Sequence, residues 1–208
     1  MAAEAGRRSP PDKVPASMRP LTIRSLSVFM LVAAALTLAA CGNKKSSIHS
    51  AETEGIYLNV GKLKYQVEIT RQLNPAAIPE DRTFVEGVAG NQAKLAPNQL
   101  WFAVFVRIEN PTSQRQVPAT GYSIVDSEGN VFHPVAINSK LNPFALSNAP
   151  IPPKGTDPNP DSVPGQVDSI GGLELLFKLN YPNLDNRPLT FKINSYFPDD
   201  EAEGSLDV

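Results

Sequence analysis

The stretch LWFAVFVRIENPT, residues 100–112, decides the fold. Its even-numbered residues from 100 to 108 are all apolar, which is the period-two pattern of a β-strand with one face on a core. The odd-numbered residues are also apolar as far as Phe105 and turn polar after it. The stretch therefore predicts a central strand that is covered on both faces over half its length. Asn110-Pro111 ends this strand.

The next strongest strand is predicted at residues 62–73. Five of its six odd-numbered residues are apolar and all its even-numbered residues are polar. This alternation is typical of a strand with one face on a core and the other in water. A helix would scatter the same residues around its circumference.

The remaining strands are shorter, and two hairpins are predicted among them. The turn DSEGN at 126–130 suits a hairpin between 122–125 and 131–135. The alternating segments 173–179 and 189–193 are separated by a polar link and are expected to form a second hairpin. Weaker strands are predicted at 57–60 and 83–85.

The predicted fold is all-β, an antiparallel immunoglobulin-like sandwich of about seven strands. No segment after residue 41 has a convincing helical period, and the chain contains 20 prolines among its polar turns. The sandwich is expected to span residues 55–197, followed by an acidic tail at 198–208. Beyond residue 40 the chain has 168 residues, which is enough for one well-buried domain.

A long segment at 138–172 interrupts the strand pattern and contains seven prolines. Loops of this length are usually functional or disordered. Because proline lowers the entropy lost on ordering, we expect an ordered flap packed by Phe144, Leu146 and Ile151. A simple surface excursion is the alternative. These three residues form the candidate interaction loop.

Residues 1–40 have the features of a signal peptide. Arg19 and Arg24 precede an apolar run at 26–40, which is shorter than the roughly 20 residues of a membrane-spanning helix. The 17 residues before Met18 are polar and rich in proline, so we expect translation to start at Met18. The pair Arg7-Arg8 lies far from the apolar run, which argues against twin-arginine export.

The apolar run ends in Leu38-Ala39-Ala40-Cys41-Gly42, which resembles the lipobox of bacterial lipoproteins. The resemblance implies that a dedicated peptidase recognises Leu38, Ala39 and Ala40, cleaves before Cys41, and leaves a diacylglyceryl group on its sulfur. Residues 41–54 are then a flexible, lipidated tether. The alternative is an uncleaved anchor, for which the apolar run is too short.

A second resemblance covers roughly residues 63–193. The strings LWFAVFVRIENPT and YSIVDSEGNVFHP are similar to the Telokin-like, immunoglobulin-like domains of many bacterial lipoproteins. The resemblance implies the fold but no activity, because a fold alone specifies no chemistry. This sequence lacks the cysteine pair of true immunoglobulin domains.

Composition argues against several functional classes. Five of 19 basic and two of 21 acidic residues lie in the leader, which leaves a net charge of −5 and no basic runs, so no nucleic-acid partner is expected. All three methionines and the only cysteine lie within the first 41 residues. The two histidines, His49 and His133, are too few for a metal site by themselves, so no metal or cofactor is expected.

One calcium-like spacing occurs in the proline-rich segment. Asp157, Asn159, Asp161 and Asp168 occupy positions 1, 3, 5 and 12 of an EF-hand loop. Ser162 replaces the glycine that position 6 requires, and no helices are predicted on either side. A solvated acidic loop is the favoured interpretation.

The sequence predicts a non-enzymatic binding or interaction module, lipid-anchored on the extracytoplasmic face of the cell membrane. Its expected partners are membrane lipid, reached through Cys41, and an envelope protein or glycan; the oligomeric state stays open. One alternative is a small envelope hydrolase that uses His133, because His49 lies in the tether. The absence of a G-x-S-x-G motif argues against it. A structural spacer without a specific ligand is the other.

Overall fold

The computed structural model describes residues 47–167, 170–196 and 200–208. In chain order the strands are β1 (Ser50–Ala51), β2 (Tyr57–Val60), β3 (Leu63–Leu73), β4 (Gln99–Glu109), β5 (Gly121–Val125), β6 (Val131–Phe132), β7 (Thr156–Asp157), β8 (Leu173–Asn180), β9 (Thr190–Asn194) and β10 (Glu201–Ser205). Single helical turns lie at Pro79–Asp81, Arg82–Val85, Val163–Gln166 and Tyr181–Leu184.

The strands form two sheets that confirm the all-β sandwich. The first sheet has the order β2-β3-β4, and both β7 and β8 pair with the free edge of β4. The second sheet has the order β1-β10-β9-β5-β6. All pairs are antiparallel except β1 with β10. Seven of the described strands have four or more residues, which agrees with the number expected.

The central position of β4 follows from its two apolar faces. Its even-numbered residues pack in an inner core between the sheets, together with Tyr65, Ile124, Phe177, Phe191 and Ile193. Its odd-numbered residues Trp101, Ala103 and Phe105 are buried in an outer core on the other face of the same sheet, with Phe84, Phe144 and Leu176. The segments at 74–98 and 134–170 supply the cover of this outer core. The prediction that β4 is covered on both faces over half its length is confirmed.

The strand pairing differs from the sequence prediction in one hairpin. β5 and β6 pair through Ile124 and Phe132, as expected. β8 pairs with β4, however, whereas β9 pairs with β5 and β10 in the other sheet. The link at 181–189 therefore crosses between the sheets. Alternation identifies the buried face of a strand but not its partner, which is why the second predicted hairpin is wrong.

The two ends of the domain also differ from the prediction. The expected tether contains β1, and Glu203 N donates to His49 O at 2.8 Å, so residues from 48 onward belong to the fold. The expected acidic tail contains β10, whose Ala202 is buried while Glu201 and Glu203 face solvent. The inward-facing residues of β10 are small, so the alternation of this strand was not apparent in the sequence. The domain therefore extends beyond the expected 55–197 at both ends.

The weak strand expected at 83–85 is a helical turn. Thr83 and Val85 lie in the turn Arg82–Val85, which places Phe84 against Phe105 and Phe144 with ring centroids 5.2 and 5.0 Å apart. Tertiary packing of one aromatic ring outweighs the weak β-propensity of this short segment.

Candidate functional site

The predicted lipidation site lies outside the described residues. Cys41 and the recognition residues Leu38, Ala39 and Ala40 precede Ser47, where the description begins. Lipidation therefore stays a prediction. Within the part of the chain that the structure describes, no helix is both long and apolar enough to cross a membrane.

The candidate interaction loop is ordered, as expected, but its apolar side chains face inward. Phe144 is buried in the outer core, Ile151 is buried in the inner core, and Leu146 packs partly buried against the inner core. Phe144 and Ile151 are therefore enclosed, whereas Leu146 is partly exposed. Their role is to fix the proline-rich segment onto the sandwich.

Asn110 holds the middle of the proline-rich segment. Its side-chain amide donates to the carbonyl oxygens of Gln114, Ile151 and Pro152 at 2.7, 3.1 and 2.9 Å. Its Oδ1 accepts from the backbone and the hydroxyl of Thr112. The asparagine of the ENPT sequence is therefore a buried structural clamp, because it links the end of β4 to backbone groups of two loops.

His133 is exposed after the short strand β6. The hydrolase alternative requires an enclosed pocket at this imidazole, and an exposed side chain does not provide one. That the protein is not an enzyme stays a prediction.

The calcium-like spacing does not assemble into a described site. Asp157 pairs with Ile108 in β7, and Asn159 Oδ1 accepts from the backbone of Asp161 at 2.9 Å. Asp168 lies outside the described residues. Among those described, no group of three or more His, Cys, Asp and Glu side chains is arranged to hold a metal ion. Burial raises the pKa of Asp157 to about 6.

An open cleft of about 500 Å³ lies at one end of the sandwich. Three segments form it, namely the β2–β3 turn, the extended segment 115–120 before β5, and residues 195–196 after β9. Strands of both sheets end here, so their connecting turns surround a space that no strand fills. We refer to it as the end cleft.

The floor of the end cleft is apolar and uncharged at neutral pH. The Tyr65 hydroxyl accepts a hydrogen bond from Ala119 N at 2.7 Å, and burial raises the pKa of Tyr65 to about 12. Tyr122 lies buried beside it. Burial and the neighbouring Tyr65 hydroxyl raise the pKa of Tyr122 above its usual range, although the two oxygens form no hydrogen bond of ordinary geometry.

The rim of the end cleft carries two cations and two exposed apolar or aromatic side chains. Lys62 and Arg115 are exposed, and neither forms an ion pair with an acidic residue that the structure describes. Val117 is 60 % exposed and Tyr196 is 88 % exposed. Asp200 is the nearby acidic group, with Oδ2 3.4 Å from the position that a Cβ on Gly61 would occupy.

This arrangement suits binding of an anionic ligand with an apolar or ring-shaped part. Cations on a rim attract phosphate or carboxylate groups, and exposed Tyr and Val offer apolar contact. The described residues that line the cleft include no histidine, cysteine or carboxylate side chain.

Sequence reasoning missed the end cleft for a physical reason. Its residues come from three segments more than 50 residues apart, so no motif with a short spacing connects them. The local signals were an exposed valine in the polar stretch RQVPAT at 115–120 and a tyrosine just after a predicted strand.

A second cavity of about 360 Å³ lies within the proline-rich segment. Asp157, Asn159 and three serines contribute to its walls. It has no cation and no aromatic ring in its lining, so it offers fewer features for recognition than the end cleft.

Comparison with known proteins returned no matching family model and no matching curated protein. Similar solved structures include the yjhA protein from Bacillus subtilis, at 12 % identity and TM-score 0.44 over 75 % of this chain and 99 % of that one. An uncharacterised β-sandwich protein from Clostridium difficile 630 has 8 % identity and TM-score 0.41, covering 80 % and 100 %. A conserved hypothetical protein from Bacillus anthracis has 10 % identity and TM-score 0.41, covering 73 % and 94 %.

Proposed function

We propose that this protein is an extracytoplasmic lipoprotein that acts as a non-enzymatic binding module of the cell envelope. The observation that carries the proposal is Leu38-Ala39-Ala40-Cys41 at the end of a short apolar run. A leader with this lipobox-like end is removed, and the β-sandwich remains attached through the acylated sulfur of Cys41.

Anchoring follows from the chemistry of the cysteine. Its thiolate attacks the glyceryl carbon of a phospholipid donor, the bond from that carbon to the phosphate oxygen breaks, and a thioether forms while the headgroup leaves as a phosphate ester. Each buried CH₂ contributes about 0.8 kcal/mol, so two acyl chains hold the protein stably whereas one holds it only marginally.

The described structure supports a short connection between this anchor and the domain. Asn59 N donates to Ile48 O at 2.6 Å, so the fold begins seven residues after Cys41. Seven extended residues span at most about 25 Å. The anchored domain therefore stays within one domain diameter of the lipid surface.

The binding surface in this proposal is the end cleft. Lys62 and Arg115 are exposed on its rim, together with the side chain of Tyr196. Exposed aromatic and cationic side chains at one concave place are typical of recognition sites.

Intact-mass analysis of the native protein tests the anchor. We expect a chain that begins at Cys41 with added diacylglyceryl mass and that enters the detergent phase on phase separation. The C41S variant should lack the diacylglyceryl mass and the cleavage before residue 41, while the matched control S47A should be processed as wild type. A native product that begins at another residue, or that stays aqueous, contradicts the proposal.

A further inference from the structure

Another cavity lies at the end of the sandwich opposite the end cleft. Its volume is about 230 Å³, and it opens to solvent beside Tyr181, just after β8. Leu63, at the start of β3, lines the end cleft, whereas Leu73, at the end of the same strand, lines this cavity. The rise of an extended strand separates the two by about 30 Å. We refer to this cavity as the Tyr181 pocket.

Three neighbouring strand ends form the walls of the Tyr181 pocket. β3 and β8 are both antiparallel to β4, so the ends of β3 and β8 meet the start of β4. In the loop after β3, Asn74 N donates to Oδ2 of the buried Asp81 at 2.7 Å. After β8, Tyr181 N donates to Asn98 O at 2.9 Å. These hydrogen bonds fix the walls before any ligand binds.

The lining of the Tyr181 pocket has side-chain amides and aromatic rings but no described charge. Gln72, Asn74 and Gln99 supply the amides, and Trp101 and Tyr181 supply the rings. The other described residues of the lining are leucine, proline and alanine. Hydrogen bonding and ring contact, rather than ionic attraction, therefore select the ligand of this pocket.

Two of the amides are held in one orientation by the backbone. Asn74 Oδ1 accepts from Ala77 N at 3.2 Å, and Gln99 Oε1 accepts from Ala96 N at 3.0 Å. The NH₂ group of each amide donates to no residue that the structure describes. Two oriented donors therefore remain for an acceptor outside the chain, and their fixed position reduces the entropy lost on binding. Gln72 is exposed and adds a third amide.

Tyr181 supplies a ring face that a ligand can cover. Its side chain is 56 % exposed, which leaves a large apolar surface in contact with water. Trp101 is only 3 % exposed, and Lys178 Nζ lies 5.1 Å from the centre of its ring. Lys178 Nζ also donates to Lys94 O at 2.8 Å, and neither lysine lines the pocket. Trp101 therefore belongs to the wall, whereas Tyr181 is free to stack.

We propose that the Tyr181 pocket binds one ring of a neutral saccharide. The C–H face of a pyranose ring covers the Tyr181 side chain, and sugar oxygens accept from Asn74 Nδ2 and Gln99 Nε2. Pockets for drug-sized ligands have volumes of about 300–1,000 Å³. The volume of 230 Å³ therefore suits a single ring. A charged group on the sugar would lose water without gaining an ion partner in the described lining.

This inference goes beyond the proposed function, because it depends neither on the lipid anchor nor on the end cleft. A ring of about a dozen heavy atoms in an open pocket should bind weakly, with a dissociation constant on the order of 1 mM. Trp101 is the only tryptophan of the chain, so its emission reports on this pocket without a label.

The test titrates the purified full-length protein with a panel of methyl glycosides and follows Trp101 emission. The panel contains glucose, galactose, mannose, N-acetylglucosamine and N-acetylgalactosamine, each up to about 100 mM. Sorbitol has similar hydroxyl groups but no ring, and methyl glucuronoside has a ring with a charge. We expect a saturable change with at least one neutral glycoside and no saturable change with sorbitol or the glucuronoside.

Matched variants assign the binding to the Tyr181 pocket. Y181A should weaken binding about ten-fold, and Y181F should retain most of it because the ring face is kept. Q99M keeps the length of the side chain but removes the donor, so it should weaken binding about five-fold. Q166M is the control, because Gln166 is exposed and does not line the pocket. Thermal melts by circular dichroism show that each variant is folded.

Several results would overturn the inference. These are the absence of saturation with every glycoside of the panel, an equal response to sorbitol, tighter binding of the glucuronoside, or wild-type affinity in a folded Y181A. Amide resonances locate the ligand independently of Trp101. Sugar-induced shifts at residues 72–76 and 99–101 support the pocket, whereas shifts confined to residues 115–120 would assign the sugar to the end cleft instead.

Discussion

The two faces of β4 show how differently the two cores of this domain are built. On the inner face, residues from Leu100 to Ile108 meet side chains of the opposite sheet, and nearly every partner lies in a strand. On the outer face, Trp101, Ala103 and Phe105 are covered by segments that contain only single helical turns. One strand therefore supports a core made by sheet packing and another made by loops.

Buried polar side chains hold the loops that cover the outer core. Asp81 is fully buried, where it accepts from Arg71 Nη2 at 2.6 Å and from Asn74 N at 2.7 Å. Asn142 donates to Phe84 O and Glu174 Oε2, and its Oδ1 accepts from Phe144 N. Loops bring unpaired backbone groups with them, so burying an apolar face under loops requires side chains that satisfy those groups.

Truncating one phenylalanine in each core should give the largest contrast. We expect F102A to lower the free energy of unfolding by about 4 kcal/mol, because the two sheets cannot close around the cavity. F144A should cost about 2 kcal/mol, because a loop can collapse into the space. Guanidinium unfolding measures both values. Equal losses would show that the outer cover is as rigid as the sheet packing.

Removing a polar side chain that holds the outer core should lower the free energy of unfolding almost as much as truncating a phenylalanine. N142A leaves Phe144 N and Glu174 without their partner, at a cost of about 3 kcal/mol in the free energy of unfolding. Hydrogen exchange should rise in residues 138–146 while the amides of β3 stay protected. N138A is the control, since Asn138 is exposed and its Oδ1 accepts from Lys140 N. A similar loss in both variants would contradict the anchor role.

Glu174 makes the stability of the outer core depend on pH. Burial raises its pKa to about 8, partly opposed by the Asn142 hydrogen bond and the charge of Arg71. Between pH 4.5 and 8 the folded chain holds a proton that the unfolded chain releases, so this group's contribution to stability falls as pH rises. We expect E174Q to flatten the pH dependence by on the order of 2 kcal/mol.

Thermal melts across that pH range measure the effect. D157N is the matched comparison, because the pKa of Asp157 is raised to about 6 and its contribution falls earlier, between pH 3.8 and 6. An E174Q profile parallel to that of the wild type would show that Glu174 is ionised in the folded protein.

The smallest effect on the free energy of unfolding is expected at Arg107, where the outer face of β4 is exposed to solvent. Arg107 Nε lies 3.4 Å from Glu68 Oε1, and both side chains are partly exposed. R107Q should change the free energy of unfolding by less than about 0.5 kcal/mol, because solvent and salt screen such pairs. A loss above about 1 kcal/mol, measured by urea unfolding, would show that the outer core extends to this end of β4.

The sequence predicted β4 and β3 well because alternation is a local property of a pleated strand. On the outer face of β4 the sequence changes from apolar to polar after Phe105. The outer core ends at the same position, because Phe105 belongs to it and Arg107 does not. The role of β10 was missed because its inward positions are Ala202 and Gly204, which carry little hydropathy signal. A Cβ on Gly204 would lie 3.4 Å from Leu58 Cδ1, in van der Waals contact with it.

The candidate site was far less predictable than the fold. The sequence pointed to Phe144, Leu146 and Ile151 because apolar residues in a long loop are candidates for recognition. The structure uses all three to attach the loop to the sandwich. The residues that stand exposed at a cavity, such as Lys62 and Arg115, are ordinary surface residues until the fold brings their turns together.

By itself, the sequence determined the faces of the main strands, the all-β class and the lipobox-like end of the leader, because each depends on residues within one short segment. The tertiary structure alone decided that β8 and β9 join different sheets, that loops build the outer core, and that the end cleft lies beside the first described residues. These features depend on pairing between distant segments, and hydrophobic burial favours any partner that covers the same apolar area.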